Sequence, residues 1–392
     1  MTNIHMFLTV VTFFIVLSVL VIAHELGHFA MARKFGVKAE EFGLGFPPRV
    51  FGIYKNDQGQ WKFVRGAKEI TDSPKTIYSI NWLPLGGFVK IKGENGEGQN
   101  DSDSFASKKI WQRAFMLSAG VVMNIALAAV LISFGFMIGL PQSLDGQLNS
   151  HANVSDKKIQ IMQVMENTPA ALAGLKIGDT IVAIDNQSFA NYQELQSYVA
   201  AGIDKNLIYK IKRGQDLIEA GITPKLMSET NRGGIGVAIT ETGIVSYPWY
   251  LAIFEGIKMT LFLTWAIIVA FYELIKGLIL GHGVTADLSG PVGIATLTGQ
   301  VARMGFIYLL QFTALLSINL AVINFFPFPA LDGGRILFLI IEKIKRSPIK
   351  REVEGAIHNI GFALLMLLVL VVTFRDVARL GDVFKNFWDK LF

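Results

Sequence analysis

The chain has 392 residues, 52% of them hydrophobic and 17% charged, with a formal net charge of +5. A mean hydropathy of +0.44 excludes a single soluble domain and argues for several membrane crossings. Cysteine is absent, which excludes disulfide scaffolds, thiolate metal sites and thiol nucleophiles. The modest positive charge fits basic loops facing anionic lipid and gives no footprint for nucleic acid.

Residues 1–34 predict a first transmembrane helix. No Lys or Arg precedes its apolar run, whereas Arg33 and Lys34 follow it, the reverse of a cleaved signal peptide. The charge order places the N-terminus outside and residue 34 in the cytoplasm. Residues 35–110 contain Gly, Pro and short alternating segments such as Phe88-Val89-Lys90-Ile91-Lys92, and predict a cytoplasmic-side loop. A second transmembrane helix is predicted over 111–140. From Arg33 to Arg113 there are 14 Lys and Arg against 9 Asp and Glu; from Pro141 to Tyr250 there are 9 against 11. That asymmetry puts the first segment inside and the second outside.

Residues 150–240 predict a small folded module. Strand-like runs at 159–164, 180–184, 207–211 and 217–222 alternate with turn signals and one helical stretch, 192–200. The segment Ala170-Ala171-Leu172-Ala173-Gly174-Leu175-Lys176-Ile177-Gly178-Asp179 followed by Ile181-Val182-Ala183-Ile184 resembles a PDZ domain. On that resemblance Gly174, Leu175, Ile177 and Gly178 are expected at a groove where an arriving chain adds as a strand.

Residues 249–304 predict an interfacial or re-entrant amphipathic helix and linker, because Glu255, Lys258, Glu273 and Lys276 interrupt the apolar run. Residues 305–342 predict a transmembrane helix broken by Pro327, Pro329, Gly333 and Gly334. It runs into Lys343, Lys345, Arg346, Lys350 and Arg351, a strong cytoplasmic signal; the last transmembrane helix, 356–375, returns outside. The expected architecture is a polytopic α-helical membrane protein with about four transmembrane helices and one inserted PDZ-like α/β domain.

His24-Glu25-Leu26-Gly27-His28 fits the HExxH pattern on a segment already read as helical. Positions i and i+4 share one helix face, so both imidazoles can meet one zinc ion, with Glu25 beside them as general base. His24 lies 18 residues beyond Met6, roughly 27 Å along the axis in a hydrocarbon core of about 30 Å. Polar groups at that depth are costly unless they function. Without cysteine the third ligand must be His, Asp or Glu. His5, His151, His282 and His358 are not expected inside a span beside the first helix; Glu255, Glu273 and Asp332 are the acids in apolar surroundings. Asp332 stands out because the broken helix frees backbone around it.

HELGH in the first span, with Asn324-Phe325-Phe326-Pro327-Phe328-Pro329-Ala330-Leu331-Asp332-Gly333-Gly334 in a later one, resembles the site-2 protease family of intramembrane zinc proteases, most of all its bacterial regulator-of-sigma-E type. Gly43-Leu44-Gly45-Phe46, Leu83-Pro84-Leu85-Gly86-Gly87-Phe88-Val89-Lys90 and Ser289-Gly290-Pro291-Val292-Gly293-Ile294-Ala295 extend the likeness along the chain. The resemblance implies that His24, His28 and Asp332 bind Zn²⁺, that Glu25 is the catalytic base and that Asn324 contacts the substrate backbone. It also implies that 35–110 carries a membrane-associated β-loop, whose stretch with Gly86, Gly87, Phe88, Val89 and Lys90 pairs with an unwound substrate.

The expected activity is regulated proteolysis inside the bacterial cytoplasmic (inner) membrane. Its substrates would be single-span membrane proteins such as anti-sigma factors, or remnant signal peptides. The PDZ-like domain would lie on the outer (periplasmic) side and the active site near the cytoplasmic side. The chain departs from the type in one respect, since 150–240 has room for one PDZ-like module where the type has two. Competing readings are a membrane metalloprotease of another HExxH class with Glu273 as third ligand, and a catalytically silent PDZ scaffold.

Overall fold

The computed structural model describes residues 2–66, 70, 75–94, 96, 98–146, 148–165, 167–214, 216–227, 232–281, 289–347 and 349–388. His282 therefore lies outside the described residues. The chain divides into two compact units, Met1–Ile132 with Gly256–Phe392, and Ser133–Glu255.

The first unit begins with helix α1, Thr2–Lys34, whose apolar run holds no glycine before Gly27 and no proline. A three-stranded antiparallel sheet follows, built from β1 (Ala39–Lys55), β2 (Trp61–Arg65) and β3 (Ile77–Ile91) in the order β2-β1-β3. Both β1 and β3 are bent, so that residues 41–44 of β1 pair with 77–80 of β3 on one side and with 87–90 on the other. The 87–90 limb of β3 is thus left as an edge, and that edge runs along α1. Helix α2, Ile110–Ile138, then crosses α1 closely. A β-carbon on Gly27 would sit 2.3 Å from the Ala119 carbonyl oxygen, so only glycine lets the two backbones approach this far.

The second unit holds β4 (Leu140–Ser143), β5 (Asn153–Val164), α3 (Pro169–Leu172), β6 (Thr180–Ile184), α4 (Tyr192–Ala201), β7 (Leu207–Arg213), β8 (Asp216–Ile222), β9 (Lys225–Met227), β10 (Arg232–Gly234) and β11 (Val237–Ser246). Six of the strands form one sheet, ordered β4-β11-β5-β6-β7-β8. Alternation turns Ile159 and Ile161 of β5 and Tyr209 and Ile211 of β7 inward, and β6 adds Ile181 and Ile184 across a register shift, all against Leu195 and Val199 of α4. The four predicted strands and the helix are all present, and the expected 150–240 module extends at both ends through β4 and the remainder of β11.

The rest of the first unit comprises α5 (from Trp249 of the second unit to Ile279), α6 (Pro291–Met304), α7 (Phe306–Phe325), α8 (Asp332–Lys345) and α9 (Arg351–Trp388). The predicted broken span is resolved into α7, a turn, and α8. Pro327 and Pro329 lack the N–H that would continue α7, and Leu331 closes the turn by donating its N–H to the Phe328 carbonyl at 3.2 Å. A β-carbon on Gly333 would lie 2.2 Å from the Phe325 carbonyl oxygen, so glycine allows α8 to start directly against the end of α7. The last helix is longer than the expected 356–375.

Among the described residues five helices are long and apolar enough to cross a membrane by length and composition: 6–34, 110–138, 249–279, 306–325 and 352–378. The four-span reading counted all of these except 249–279. That segment is one unbroken helix.

Candidate metal centre

His24 and His28 stand one turn apart on α1, each 7% exposed, with their Nε2 atoms 3.1 Å apart and their rings edge-on at 4.7 Å. Asp332, the first residue of α8, reaches between them. Its Oδ2 lies 3.0 Å from His24 Nε2 and 3.4 Å from His28 Nε2. The turn before α8 aims that carboxylate, and Ala330 within it adopts a positive φ of 78° and donates its N–H to His358 Nδ1 at 2.8 Å. Arg335 in the first turn of α8 pairs with Glu94 just beyond β3, tying α8 to the sheet.

Three observations test whether these residues fit a zinc ion. One donor atom from each of His24, His28 and Asp332 lies within 4.8 Å of the other two. Asp332 Oδ2 is buried and receives no hydrogen bond, a costly state for a carboxylate oxygen unless a cation meets it. His28 Nδ1 donates to the Met116 carbonyl at 2.8 Å, which fixes the tautomer that leaves Nε2 as a lone-pair donor. Two neutral imidazoles and a carboxylate are a zinc donor set, with a position left for water.

Glu25 projects from the same helix and accepts the Val89 backbone N–H at 3.1 Å through Oε2. That bond comes from the free edge of β3. Gly86 and Gly87 lie against Val21, Ile22 and Glu25 of α1. Phe88 is half-buried beside Gly43, whereas Lys90 is exposed and paired with Glu40 at 2.9 Å, away from the metal ligands. Asn324 places Nδ2 3.5 Å from His24 Nε2, near the end of α7.

The other ligand candidates are not brought in. Glu273 is exposed and paired with Lys276 at 3.1 Å, and Glu255 accepts from Asn149 at 3.1 Å. His151 is exposed in the second unit. The residues expected at a groove, Gly174, Leu175, Ile177 and Gly178, lie on the turn between α3 and β6. Gly174, Leu175 and Gly178 give their N–H groups to Ala171, Ala170 and Ile161 carbonyls, and Lys176 gives its own to Asp179. These four N–H groups are engaged, and Leu175 is core. A cleft of about 880 Å³ lies elsewhere in the same unit, between Gln193, Gln196 and Ala200 of α4 and the Ile235-Gly236-Val237 entry to β11.

Three participants escaped the sequence. Gly120 of α2 faces both imidazoles, and a β-carbon there would come within 2.4 Å of His28 Nε2 and 2.6 Å of His24 Cε1. Asn124, wholly buried, sets Nδ2 3.4 Å from His24 Nδ1, while its backbone carbonyl accepts Ser317 Oγ of α7 at 2.8 Å. The Val89 amide is a backbone group and carries no sequence signal. Asn124 did carry one, as an amide within an apolar span.

An HExxH helix closed by a carboxylate from a folded-back helix, all among helices apolar enough for a bilayer, defines a membrane-embedded metallopeptidase. The chain belongs to peptidase family M50, whose family model matches residues 12–65 and 67–368. It is 32% identical over 456 residues to the regulator of sigma-W protease RasP of Bacillus subtilis, covering 95% of this chain and 99% of that one. Against the zinc metalloprotease RasP of Geobacillus kaustophilus it is 30% identical over 453 residues, covering 95% and 98%. Among solved structures, the PDZ domain of an SdrC-like protein from Listeria innocua is 31% identical over 21% of this chain and 92% of that domain, with a TM-score of 0.20.

Proposed function

We propose that the chain cleaves single-span membrane proteins or remnant signal peptides at the His24, His28 and Asp332 centre, with Glu25 as the catalytic base. The observation that carries this reading is the buried, donor-free Oδ2 of Asp332 set between two imidazole nitrogens. Zinc held there supplies Lewis acidity, which lowers the pKa of water and polarises a peptide carbonyl. Glu25 takes the proton from the attacking water and returns it to the leaving amine nitrogen, its carboxylate oriented by the Val89 N–H. Asn324 Nδ2 donates to the substrate backbone beside the scissile bond. A peptide bond inside a helix is shielded by its own hydrogen bonds, so the substrate must unwind. The 87–90 edge of β3 offers replacement backbone partners next to Glu25.

The charge pattern supports an orientation with 133–255 outside, in the periplasm of a two-membrane cell, and 343–351 in the cytoplasm, in a bacterial inner membrane. Helix α5 then lies along the interface, and the metal centre sits near the cytoplasmic side. The second unit is a PDZ-like module, and its α4–β11 cleft receives an extended chain. The β11 backbone from Val237 to Thr240 pairs with β5 on one side only, which leaves its other edge for strand addition.

The test is cleavage of a model single-span substrate by the purified protein in detergent, beside Glu25→Gln, with zinc quantified in both. Cleavage by the wild type alone, at equal zinc content, is expected. Cleavage that survives in Glu25→Gln would overturn the assignment of the base.

A further inference from the structure

Among the described residues the metal donor set is His24, His28 and Asp332, and His358 of α9 stands outside it. His358 nevertheless touches the turn that presents one of the three donors. Its Nδ1 accepts the Ala330 N–H at 2.8 Å, so that nitrogen keeps its lone pair and the ring proton sits on Nε2. Nε2 is buried with no hydrogen-bond partner among the described residues, and Glu354 Oε1 stands 3.9 Å away. The bond to Ala330 is therefore the polar contact that orients the ring. Phe338 of α8 packs against it, with ring centres 5.3 Å apart.

Ala330 needs such a hold. Its φ of 78° lies in the left-handed region, which is unfavourable for any residue with a β-carbon. Helix α9 meets the same turn a second time through Gly361, about one turn beyond His358. A β-carbon there would lie 2.4 Å from Pro329 Cβ and 2.7 Å from the Pro329 carbonyl oxygen. Glycine thus seats α9 directly against Pro329, while His358 takes the amide of the next residue. Only Leu331 separates Ala330 from Asp332, and its N–H is bound to the Phe328 carbonyl. A slip at Ala330 is therefore passed on to the carboxylate that lies 3.0 Å from His24 Nε2 and 3.4 Å from His28 Nε2.

We propose that His358 is a positioning residue for Asp332, holding the left-handed Ala330 turn from α9 so that the carboxylate meets both imidazoles. The inference rests on the reading of Asp332 as a zinc ligand. A side chain that merely filled space at 358 would need only volume. The positioning role needs a hydrogen-bond acceptor at the place of Nδ1.

The test uses the full-length protein, stripped of metal and titrated with zinc under chelator competition, with the visible spectrum of the cobalt-loaded form recorded beside it. His358→Leu keeps volume and removes the acceptor, and is expected to weaken zinc about tenfold or more and to shift the cobalt bands. His358→Asn sets an amide oxygen at the place of Nδ1, and should return affinity to within about threefold of the wild type, with its bands. In an Ala330→Gly background, where the left-handed φ carries no penalty, the His358→Leu loss should shrink to about threefold or less. Amide exchange over 326–334 in the metal-free protein should be faster in His358→Leu than in the wild type or His358→Asn. If His358→Leu does not fold, His358→Gln carries the same expectations, because its amide oxygen reaches one bond too far. Asp332→Asn separates the two readings: wild-type zinc affinity in that variant would remove the ligand assignment and the proposal with it. Zinc lost from Asp332→Asn but held normally by His358→Leu and His358→Gln would overturn the proposal alone. Equal losses in His358→Asn and His358→Leu, or an undiminished loss in the Ala330→Gly background, would overturn it as well.

Discussion

Gly120 and His28 meet where α2 crosses α1, so closely that a β-carbon on the glycine would lie 2.4 Å from His28 Nε2. Space for the imidazole is therefore created by the neighbouring helix as much as by the one that carries it. Gly120→Ala is expected to cost about 1–3 kcal/mol at the site and to lower zinc occupancy at limiting metal by about tenfold or more. Gly355→Ala on α9, where nothing lies within 4 Å of the added carbon, should leave zinc content unchanged. Metal analysis of both variants decides the point, and equal occupancy would show that α2 does not shape the site.

The two acids that competed for the third ligand position are separated by a direct comparison. Asp332→Asn is expected to lose zinc on dialysis, whereas Glu273→Gln, which breaks only an exposed pair with Lys276, should change stability by under about 1 kcal/mol and keep its metal. Zinc retained by the Asp332 variant and lost from the Glu273 variant would restore the alternative.

Asn124 is expected to act as a positioning residue through His24. When His24 gives Nε2 to a metal, its Nδ1 carries a proton and needs an acceptor. Asn124 Oδ1 is buried without a partner, and a half-turn of the amide exchanges it with the Nδ2 that now faces His24. Asn124→Leu should lower zinc affinity about 10–100-fold, with partial rescue by Asn124→Asp. Chelator competition reads the affinity, and the visible spectrum of the cobalt-loaded protein reads the geometry. Unchanged values in both would remove Asn124 from the site.

In the second unit, burial by itself would raise the Asp179 carboxyl, but the paired bonds from Arg213 at 2.7 Å and the Lys176 N–H hold it below the usual carboxylate range. Because the folded value is depressed, this stabilisation is complete above the unfolded carboxylate pKa and fades as pH falls through the folded one. Protection of the β6 and β7 amides in the intact protein, taken relative to the slower intrinsic exchange in acid, should fall below about pH 4. Asp179→Asn should already be weakened at neutral pH, by about 1–3 kcal/mol, and respond less to acid. Equal acid sensitivity in the two proteins would assign the effect to other carboxylates.

Much was legible because the sequence features involved are local. The four strands and the helix of the second unit follow from period-two and period-3.6 patterning over a few residues each. HExxH is readable because ligands one turn apart on one helix need no tertiary information. Asp332 was legible at one remove, since prolines and glycines in an apolar run announce broken backbone even when its destination is unknown. The groove expectation at Gly174–Gly178 rested on the same kind of local signal. Glycine marks a turn, but whether the N–H groups of that turn remain free depends on carbonyls such as that of Ile161, which arrive from another strand.

Composition and local pattern by themselves marked this chain for a membrane and set its HExxH pair one turn apart on the first helix. Only the tertiary structure decided the rest: that Asp332 lies 3.0 Å from His24 across 308 positions of chain, that the Val89 amide holds Glu25, and that Gly120 and Asn124 wall the site. Contacts of that kind are made by side chains and backbone groups whose meeting depends on how helices cross. A crossing is set by the summed packing of whole surfaces and not by any segment that can be read alone.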